Sequence, residues 1–372
     1  VKKIVVLGSG MVGRVMALDL AGDFEVTAVD VNPTNLAKLR DPRVRQVTAD
    51  LSDGGSVRRL AEAADLVVGA VPGFMGFETL RAVIEAGRSV VDISFFPEDA
   101  FLLDETARAK GVTAVVDCGV APGMSNMILG YHAARMAVRS FRCYVGGLPF
   151  KRDFPFEYKA PFSPIDVIEE YIRPARFIEN GQLVVKPALS DTELMDFAPI
   201  GTLEAFNSDG LRSLLKTMKV PNMIEKTLRY PGHADYVKAL RDSGFFGREP
   251  IDVGGQTVKP IEVTSAILFK RWKLAEEDDE FTTMRIVLEG EEEGRSRTYQ
   301  YDLFDRRDPK TGFSSMARTT GFPATATVRL LAAGRFRRPG LCPPEYLGAD
   351  EGNLRFVLGE LERRGVRYER KG

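Results

Sequence analysis

Three glycines, Gly8, Gly10 and Gly13 in the stretch GSGMVG, lie between a β-branched run, KKIVVLG, and residues at helical spacing, Val12, Val15, Met16 and Leu20. Each has its own task where a chain must pass beneath a diphosphate. Gly8 makes the tight turn, Gly10 lets backbone amides approach, and Gly13 lets the helix pack closely on the strand. The anion would rest on the helix N-terminus, whose unpaired N–H groups and dipole favour negative charge. Ser9, Met11 and Val12 complete that loop. A second run, EVTAVD, ends in Asp30. A carboxylate at that point accepts both ribose hydroxyls and repels a 2′-phosphate, and the following Val31-Asn32 brings no arginine to offset the repulsion. The expectation is a dinucleotide site for NAD rather than NADP.

Other chemistry-bearing residues follow the same rhythm. Strand-like runs recur as VRQVTAD, ending at Asp50, DLVVGAVPG, SVVDIS through Asp92, and VTAVVD, ending at Asp117. Helical stretches such as SVRRLAEAA and FETLRAVIEAG lie between them. This alternation predicts an α/β fold with a Rossmann-type doubly wound parallel sheet. Ligands bind at the carboxyl ends of such strands. Asp50 and Leu51 are therefore expected near the adenine. Ala70, Val71, Pro72 and Gly73 would run along the cofactor, with Ser94 and Gly119 towards the nicotinamide. Asp92 and Asp117 close the fifth and sixth strands on the same edge, where an acid can serve chemistry or simply form a turn. Cys118 follows at once, in DCGVAPGMSN. A nucleophilic thiol would need a neighbouring base or cation to lower its pKa, and neither is close in sequence.

The composition bounds the rest. At 372 residues the chain is long enough for two domains. A formal net charge of −1 gives no reason to expect nucleic acid or an anionic membrane as partner. Three cysteines, widely spaced, form no disulfide framework and suit a reducing cytoplasm. Two histidines and no CxxC leave no zinc spacing, so no metal is expected. No apolar run is long enough for a membrane span, and the chain enters a strand at its start, so no leader is expected.

Beyond about residue 139 the pattern changes. SFRCYVGGLP reads as a strand of a new sheet, IENGQLVV carries the hairpin signal Asn180-Gly181, and TMRIVLEGEEEGRSRTYQYDLFD reads as an antiparallel hairpin. The acidic runs EEDDE and EEE read as solvated turns. SSMARTTGFPATATVRLLAAG is helical with a small-residue face at Ala317, Gly321, Ala324 and Ala326. The resulting division is an NAD-binding domain over 1–122, an inserted α+β substrate-binding and oligomerisation domain over 123–314, and a C-terminal helical segment over 315–372 that returns to the first. The sheet of the second domain is the expected interface of a homo-oligomer, a dimer or higher.

Taken in order, GSGMVG, GAVPGFMGF, VVDISFFPED, DCGVAPGMSN, YVGGLP, YKAPFSP, EEYIRPAR, LEAFNSDGLRSLL, EKTLRYPGH and MARTTGFP resemble the saccharopine dehydrogenase family, and most nearly its lysine 6-dehydrogenase branch. The saccharopine-forming members usually carry an aspartate where this chain has Ala121 and a tryptophan where it has Phe162. Near the EAF motif they place an arginine for the second carboxylate of the substrate; here stand Asn207, Ser208 and Asp209. The resemblance therefore implies a substrate with one carboxylate.

It also implies a reaction: NAD-dependent oxidative deamination of an ω-amino acid, L-lysine going to its 6-semialdehyde, which cyclises. The amine must lose a proton before hydride leaves, so a base is required; Asp92, Asp117 and His233 are the candidates. Arg229 could clamp the substrate carboxylate or form a structural salt bridge. Glu204 and Asp209 could accept an ammonium. Thr227 matches a family position that touches substrate, while Phe162, Ser163 and Tyr158 would line the pocket. Two other functions fit the same residues: a reductase that joins an amine to a carbonyl compound, as in saccharopine or carboxynorspermidine formation, and a non-catalytic NAD(H)-binding regulator.

Overall fold

The computed structural model describes residues 1–161 and 164–372. The chain divides into two compact units, Val1–Met136 with Met316–Arg367, and Ala137–Ser315 with Tyr368–Gly372.

The first unit is built on a seven-stranded parallel sheet. Its strands are β1 (Lys3–Leu7), β2 (Glu25–Asp30), β3 (Val44–Thr48), β4 (Leu66–Gly69), β5 (Val90–Asp92), β6 (Thr113–Val115) and a late strand, β17 (Gly340–Cys342). They run in the order β17-β6-β5-β4-β1-β2-β3. Helices α1 (Met11–Leu20), α2 (Pro33–Leu36), α3 (Gly54–Glu62), α4 (Gly73–Glu85), α5 (Asp104–Ala109) and α6 (Met124–Ala133) follow the strands in turn. A parallel strand is covered on both faces, which is why β1 is apolar without alternation and its Ile4, Val5, Val6 and Leu7 are all buried. The strand order reverses between β1 and β4, and a crevice at the carboxyl ends is the normal ligand position in such sheets. Here the Ala70 amide donates to Leu7 O at 2.8 Å, so the two strands end side by side.

The unit is completed by α11 (Ser315–Ala332), α12 (Pro344–Gly348) and α13 (Glu351–Arg363). The small face of α11 has a packing cause: a Cβ on Gly321 would lie 3.1 Å from Met16 Cγ of α1. Arg329 then pairs with Asp19 at 2.8 Å, and Arg364 with the same carboxylate at 2.6 Å.

The second unit holds a nine-stranded mixed sheet. Its main path is β10 (Glu193–Phe197), β11 (Gly201–Asn207), β12 (Asn222–Arg229), β7 (Ala137–Pro149), β15 (Glu280–Glu292), β16 (Arg295–Arg306) and β18 (Tyr368–Lys371). The hairpin β8 (Ala175–Glu179) and β9 (Gln182–Lys186) attaches to β12. Its turn is Asn180-Gly181, with φ of 50° and 76°, the left-handed pair that the two-residue hairpin demands. Among the described residues β12 and β7 are the only parallel neighbours of this sheet; its other pairings are antiparallel. A separate small hairpin joins β13 (Ile251–Val253) to β14 (Gln256–Val258). Helices α7 (Pro164–Ile172), α8 (Leu214–Thr217), α9 (His233–Asp242) and α10 (Pro260–Trp272) complete the unit. The acidic run EEDDE is not wholly a solvated turn. Its last residue, Glu280, is fully buried in β15 and accepts the Ser315 amide.

Candidate functional site

The glycine loop is shaped by contacts that exclude side chains. A Cβ on Gly8, whose φ is +100°, would lie 2.4 Å from Ala70 O, and one on Gly13 would lie 2.0 Å from Gly8 O. A Cβ on Gly10 would meet nothing within 4 Å, so the face above it is open. No side chain caps the first turn of α1 and no acid lies in it. Ser9 Oγ is buried without a partner. An open glycine, uncapped amides and an unused hydroxyl fit a diphosphate.

Asp30 is fixed beside that loop. Its Oδ2 accepts the Ser9 amide at 2.8 Å and its Oδ1 the Asn32 amide at 2.8 Å, while Asn35 Nδ2 reaches Oδ2 at 3.3 Å. A carboxylate has about four lone-pair positions, so acceptor capacity remains for hydroxyl groups. Val31 is 62% exposed, an apolar surface at the same strand end. Asp50 is exposed; its carboxylate accepts the Ser52 hydroxyl at 2.7 Å and the Ser52 amide at 2.9 Å, and these bonds lower its pKa. Leu51, Val71 and Gly73 are buried, and Pro72 is exposed before α4.

Asp92 and Asp117 flank Cys118. Asp92 is fully buried and accepts from the Ser94 amide at 2.8 Å and the Ser94 hydroxyl at 3.3 Å. Its place depends on Gly69, whose Cβ would fall 1.7 Å from Asp92 Oδ2. Asp117 is buried with φ of 54°, a backbone state few non-glycine residues adopt. The Cys118 amide donates to Asp92 O at 3.1 Å. Burial pushes the Cys118 thiol up to about 12, against a hydrogen bond with Thr327 Oγ1 at 3.3 Å, and the charges of Asp117 and Asp92 raise it further. A thiol so placed stays protonated at neutral pH, so Cys118 does not meet the requirement for a nucleophile. The loop beyond it is tightly closed. Gly119 N donates to Pro122 O at 3.1 Å, and buried Asn126 accepts from the Gly123 amide at 3.3 Å while donating to Glu345 at 3.2 Å.

In the second unit, Tyr158, Arg229 and His233 come together around Tyr171 and Trp272. The His233 Nδ1–Phe156 O distance is 2.8 Å, and a carbonyl oxygen can only accept, so Nδ1 carries the proton. Nε2 must then accept, and it takes the Tyr171 hydroxyl at 2.9 Å. The Tyr171 oxygen in turn accepts from Arg229 Nε at 3.1 Å. Burial lowers the His233 pKa to about 3, and the charge of Arg229 works in the same direction. With both ring nitrogens engaged and its pKa held low, His233 is neutral at neutral pH and only weakly basic.

Arg229 is buried and nearly saturated. Beyond Tyr171 it donates to Leu228 O at 2.9 Å, Tyr158 Oη at 3.4 Å and Glu170 at 3.2 Å, and its guanidinium lies 4.4 Å from the Tyr158 ring centroid. Burial opposes its charge, but the hydroxyls of Tyr158 and Tyr171 together with Glu170 more than offset this, so its pKa is raised. Glu170 itself is raised by burial, which Arg229 opposes only in part.

Two matches to family models account for most of the chain: the saccharopine dehydrogenase NADP binding domain over residues 4–115, and the saccharopine dehydrogenase C-terminal domain over residues 119–366. The chain belongs to the saccharopine dehydrogenase family. Mouse mitochondrial alpha-aminoadipic semialdehyde synthase is 23% identical, the match covering 92% of this chain and 45% of that protein. The chain thus spans about half the length of that relative. Carboxyaminopropylagmatine dehydrogenase of Synechocystis is 21% identical over 96% of both chains. The apo saccharopine dehydrogenase (L-Glu forming) structure from Saccharomyces cerevisiae superposes with a TM-score of 0.80 at 20% identity, covering 100% of this chain and 99% of that one. These matches show an α/β fold with a Rossmann-like sheet and a second mixed-sheet domain, the first of them matching a family model described as NADP-binding.

The remaining expected site residues of this saccharopine dehydrogenase family member are dispersed. Asp209 is held by Arg176 through two bonds of 2.8 Å, to Oδ1 and Oδ2, so it is not an open acceptor for an ammonium. Glu204 Oε2 accepts the Ala234 amide at 3.3 Å, at the N-terminus of α9. Thr227 Oγ1, on β12, donates at 2.8 Å to Ser208 Oγ, one residue past the end of β11. Phe162 and Ser163 lie outside the described residues. Three members of the Arg229 cluster had no separate signal in the sequence: Glu170 and Tyr171, within EEYIRPAR, and Trp272, the one tryptophan of the chain. The Trp272 ring centroid lies 6.1 Å from that of Tyr171 and 5.4 Å from that of Tyr158. No described helix is long and apolar enough to cross a membrane, and no metal-ligand cluster occurs among the described residues.

Proposed function

We propose that the protein is an NAD-dependent dehydrogenase that oxidatively deaminates the ω-amino group of an amino acid with one carboxylate, L-lysine foremost. The carrying observation is Asp209. It is one of three residues, Asn207, Ser208 and Asp209, that stand near the EAF motif, where saccharopine-forming members resembling this chain place a carboxylate-gripping arginine, and its carboxylate is paired with the Arg176 guanidinium. At Asp209 itself a second substrate carboxylate would meet an acid rather than a cation.

The nucleotide loop supports NAD. Gly10 and the α1 amides would hold the diphosphate, Ser9 Oγ would donate to it, and Asp30 would accept the ribose hydroxyls while repelling a 2′-phosphate. The matched family model bears NADP in its description, so the choice rests on Asp30 and the neighbouring Val31 and Asn32. When bound, the nicotinamide accepts a hydride from the carbon bearing the amine. Asp92 and Asp117 are the acids assigned to take the amine proton, so that the substrate enters as a neutral amine. The resulting imine takes up water and releases ammonia, leaving an aldehyde; from lysine this is the 6-semialdehyde, which closes to 1-piperideine-6-carboxylate. Glu204 is assigned to the α-ammonium. Arg229, through its one remaining N–H or by exchanging Glu170, is assigned to the carboxylate. A homo-oligomer acting in the cytoplasm completes the reading.

The likeness to carboxyaminopropylagmatine dehydrogenase favours a second reading, a reductase that condenses an amine with a carbonyl compound and reduces the imine. Purified protein given NAD and a panel of amino acids, with NADH absorbance as readout, separates the two. Turnover of lysine without a carbonyl partner supports the deaminase. Turnover seen only with NADH, an amine and a carbonyl compound together supports the reductase.

A further inference from the structure

The Asp30 carboxylate has too few open positions to hold a ribose diol by itself. Its Oδ2 accepts both the Ser9 amide at 2.8 Å and Asn35 Nδ2 at 3.3 Å, and its Oδ1 accepts the Asn32 amide at 2.8 Å. A carboxylate has about four lone-pair positions, two on each oxygen. Oδ2 is therefore full, and Oδ1 keeps one position. The vicinal hydroxyls of a ribose each need an acceptor, so one of them must find it on another residue.

Asn35 stands in the right place with the right atom. Two oxygens cannot share a hydrogen bond without a proton between them, so the nitrogen of this amide must be the atom facing Asp30. The amide oxygen then lies beside the carboxylate as a second acceptor. Among the described residues the bond to Asp30 is the only one the Asn35 side chain makes. The other polar side chain at this strand end is already in use: Asn32 Oδ1 accepts the Thr34 amide at 2.9 Å and caps α2. That short turn also fixes Asn35. Its amide donates to Asn32 O at 3.0 Å, and Leu36 beside it is buried. A side chain held in this way loses little freedom when a ligand arrives.

We propose that the adenosine ribose is bound by a carboxylate–carboxamide pair, in which Asn35 Oδ1 accepts one hydroxyl and Asp30 Oδ1 the other. The inference rests on the nucleotide reading above and assigns it a further specificity residue. A ribose lacking either hydroxyl leaves one of the two acceptors unpaired, and the loss should follow the residue. The test is displacement of NADH, followed by its fluorescence, with ADP, 2′-deoxy-ADP and 3′-deoxy-ADP. The wild type should prefer ADP to each analogue by about threefold or more. Asn35→Ala should weaken ADP by about threefold to tenfold and abolish the preference over one analogue while keeping it over the other. Its affinity for the first of these analogues should match that of the wild type, which also shows that the variant is folded. Equal weakening of all three nucleotides would make Asn35 a brace for Asp30 alone. Unchanged or tighter ADP binding would mean that the ribose displaces Asn35 from Oδ2. Either result overturns the proposal. A wild type that binds neither NADH nor ADP would overturn it together with the nucleotide reading on which it rests.

Discussion

Asp30 Oδ2 accepts the amide of Ser9 at 2.8 Å, so one carboxylate braces the glycine loop and, on the proposed reading, would also meet the ribose. Replacing it with alanine removes a charge-assisted bond to the loop together with the ribose acceptor. Hydrogen bonds to charged groups contribute about 1.5–3 kcal/mol, so Asp30→Ala should weaken NAD by roughly 10- to 100-fold and NADP much less. Titration of both nucleotides by fluorescence checks this. Equal losses for NAD and NADP would show that Asp30 only braces the loop.

Gly13→Ala tests the cradle without touching charge. Its Cβ would meet Gly8 O at 2.0 Å, and the obstacle is backbone rather than a movable side chain. Overpacking of this kind costs about 1–3 kcal/mol. Gly10→Ala has no such clash, since nothing lies within 4 Å, and should keep stability while losing nucleotide affinity. Thermal melts paired with NADH titrations separate the two effects.

How much of this was legible in the sequence depends on the range of the interactions. GSGMVG and Asp30 act through contacts set by local turns and one adjacent strand, so residue type and spacing were enough. The Asn180-Gly181 and β15–β16 hairpins are local for the same reason. The three-residue β17 carries no periodicity of its own and owes its strand state to β6, more than two hundred residues earlier. The Arg229 cluster was visible only in part. Its partners Tyr158, Glu170, Tyr171, His233 and Trp272 come from four separate segments, and nothing in the spacing says that they meet. Likewise, Asp209-Gly210 read as an acceptor or a turn, and only the fold brings Arg176 onto Asp209.

His233 gives a pH signature. Its folded pKa, about 3, lies below the ordinary value of 6.5, so the unfolded chain binds the proton more readily. Its contribution to stability is therefore complete above about 6.5 and is lost as pH falls towards 3. His233→Gln should lower stability at neutral pH, by removing a bond to buried Tyr171 or Phe156, and should flatten the dependence between those limits. Denaturant melts across that range measure it. The same variant should leave any neutral-range pKa of the kcat/KM profile in place, since His233 does not titrate there.

Cys118 supplies a negative control. With its thiol pushed up to about 12, it should resist alkylation in the folded protein at neutral pH and react after unfolding. Cys118→Ala should keep kcat within a few-fold, at a stability cost of about 1 kcal/mol from the lost bond to Thr327. A loss of kcat by orders of magnitude with the fold intact would reinstate a covalent role.

The central claim is hydride transfer from the carbon that bears the ω-amine of an amino acid with one carboxylate to NAD. L-lysine deuterated at C6 tests it most directly, with the reduced nucleotide recovered and weighed by mass spectrometry. The account predicts NADH carrying one deuterium and a primary isotope effect when chemistry limits the rate. Unlabelled NADH from that substrate, with label arriving instead from lysine deuterated at C2, would contradict it, as would the absence of any NADH from ω-amino acids by a protein that binds NAD tightly.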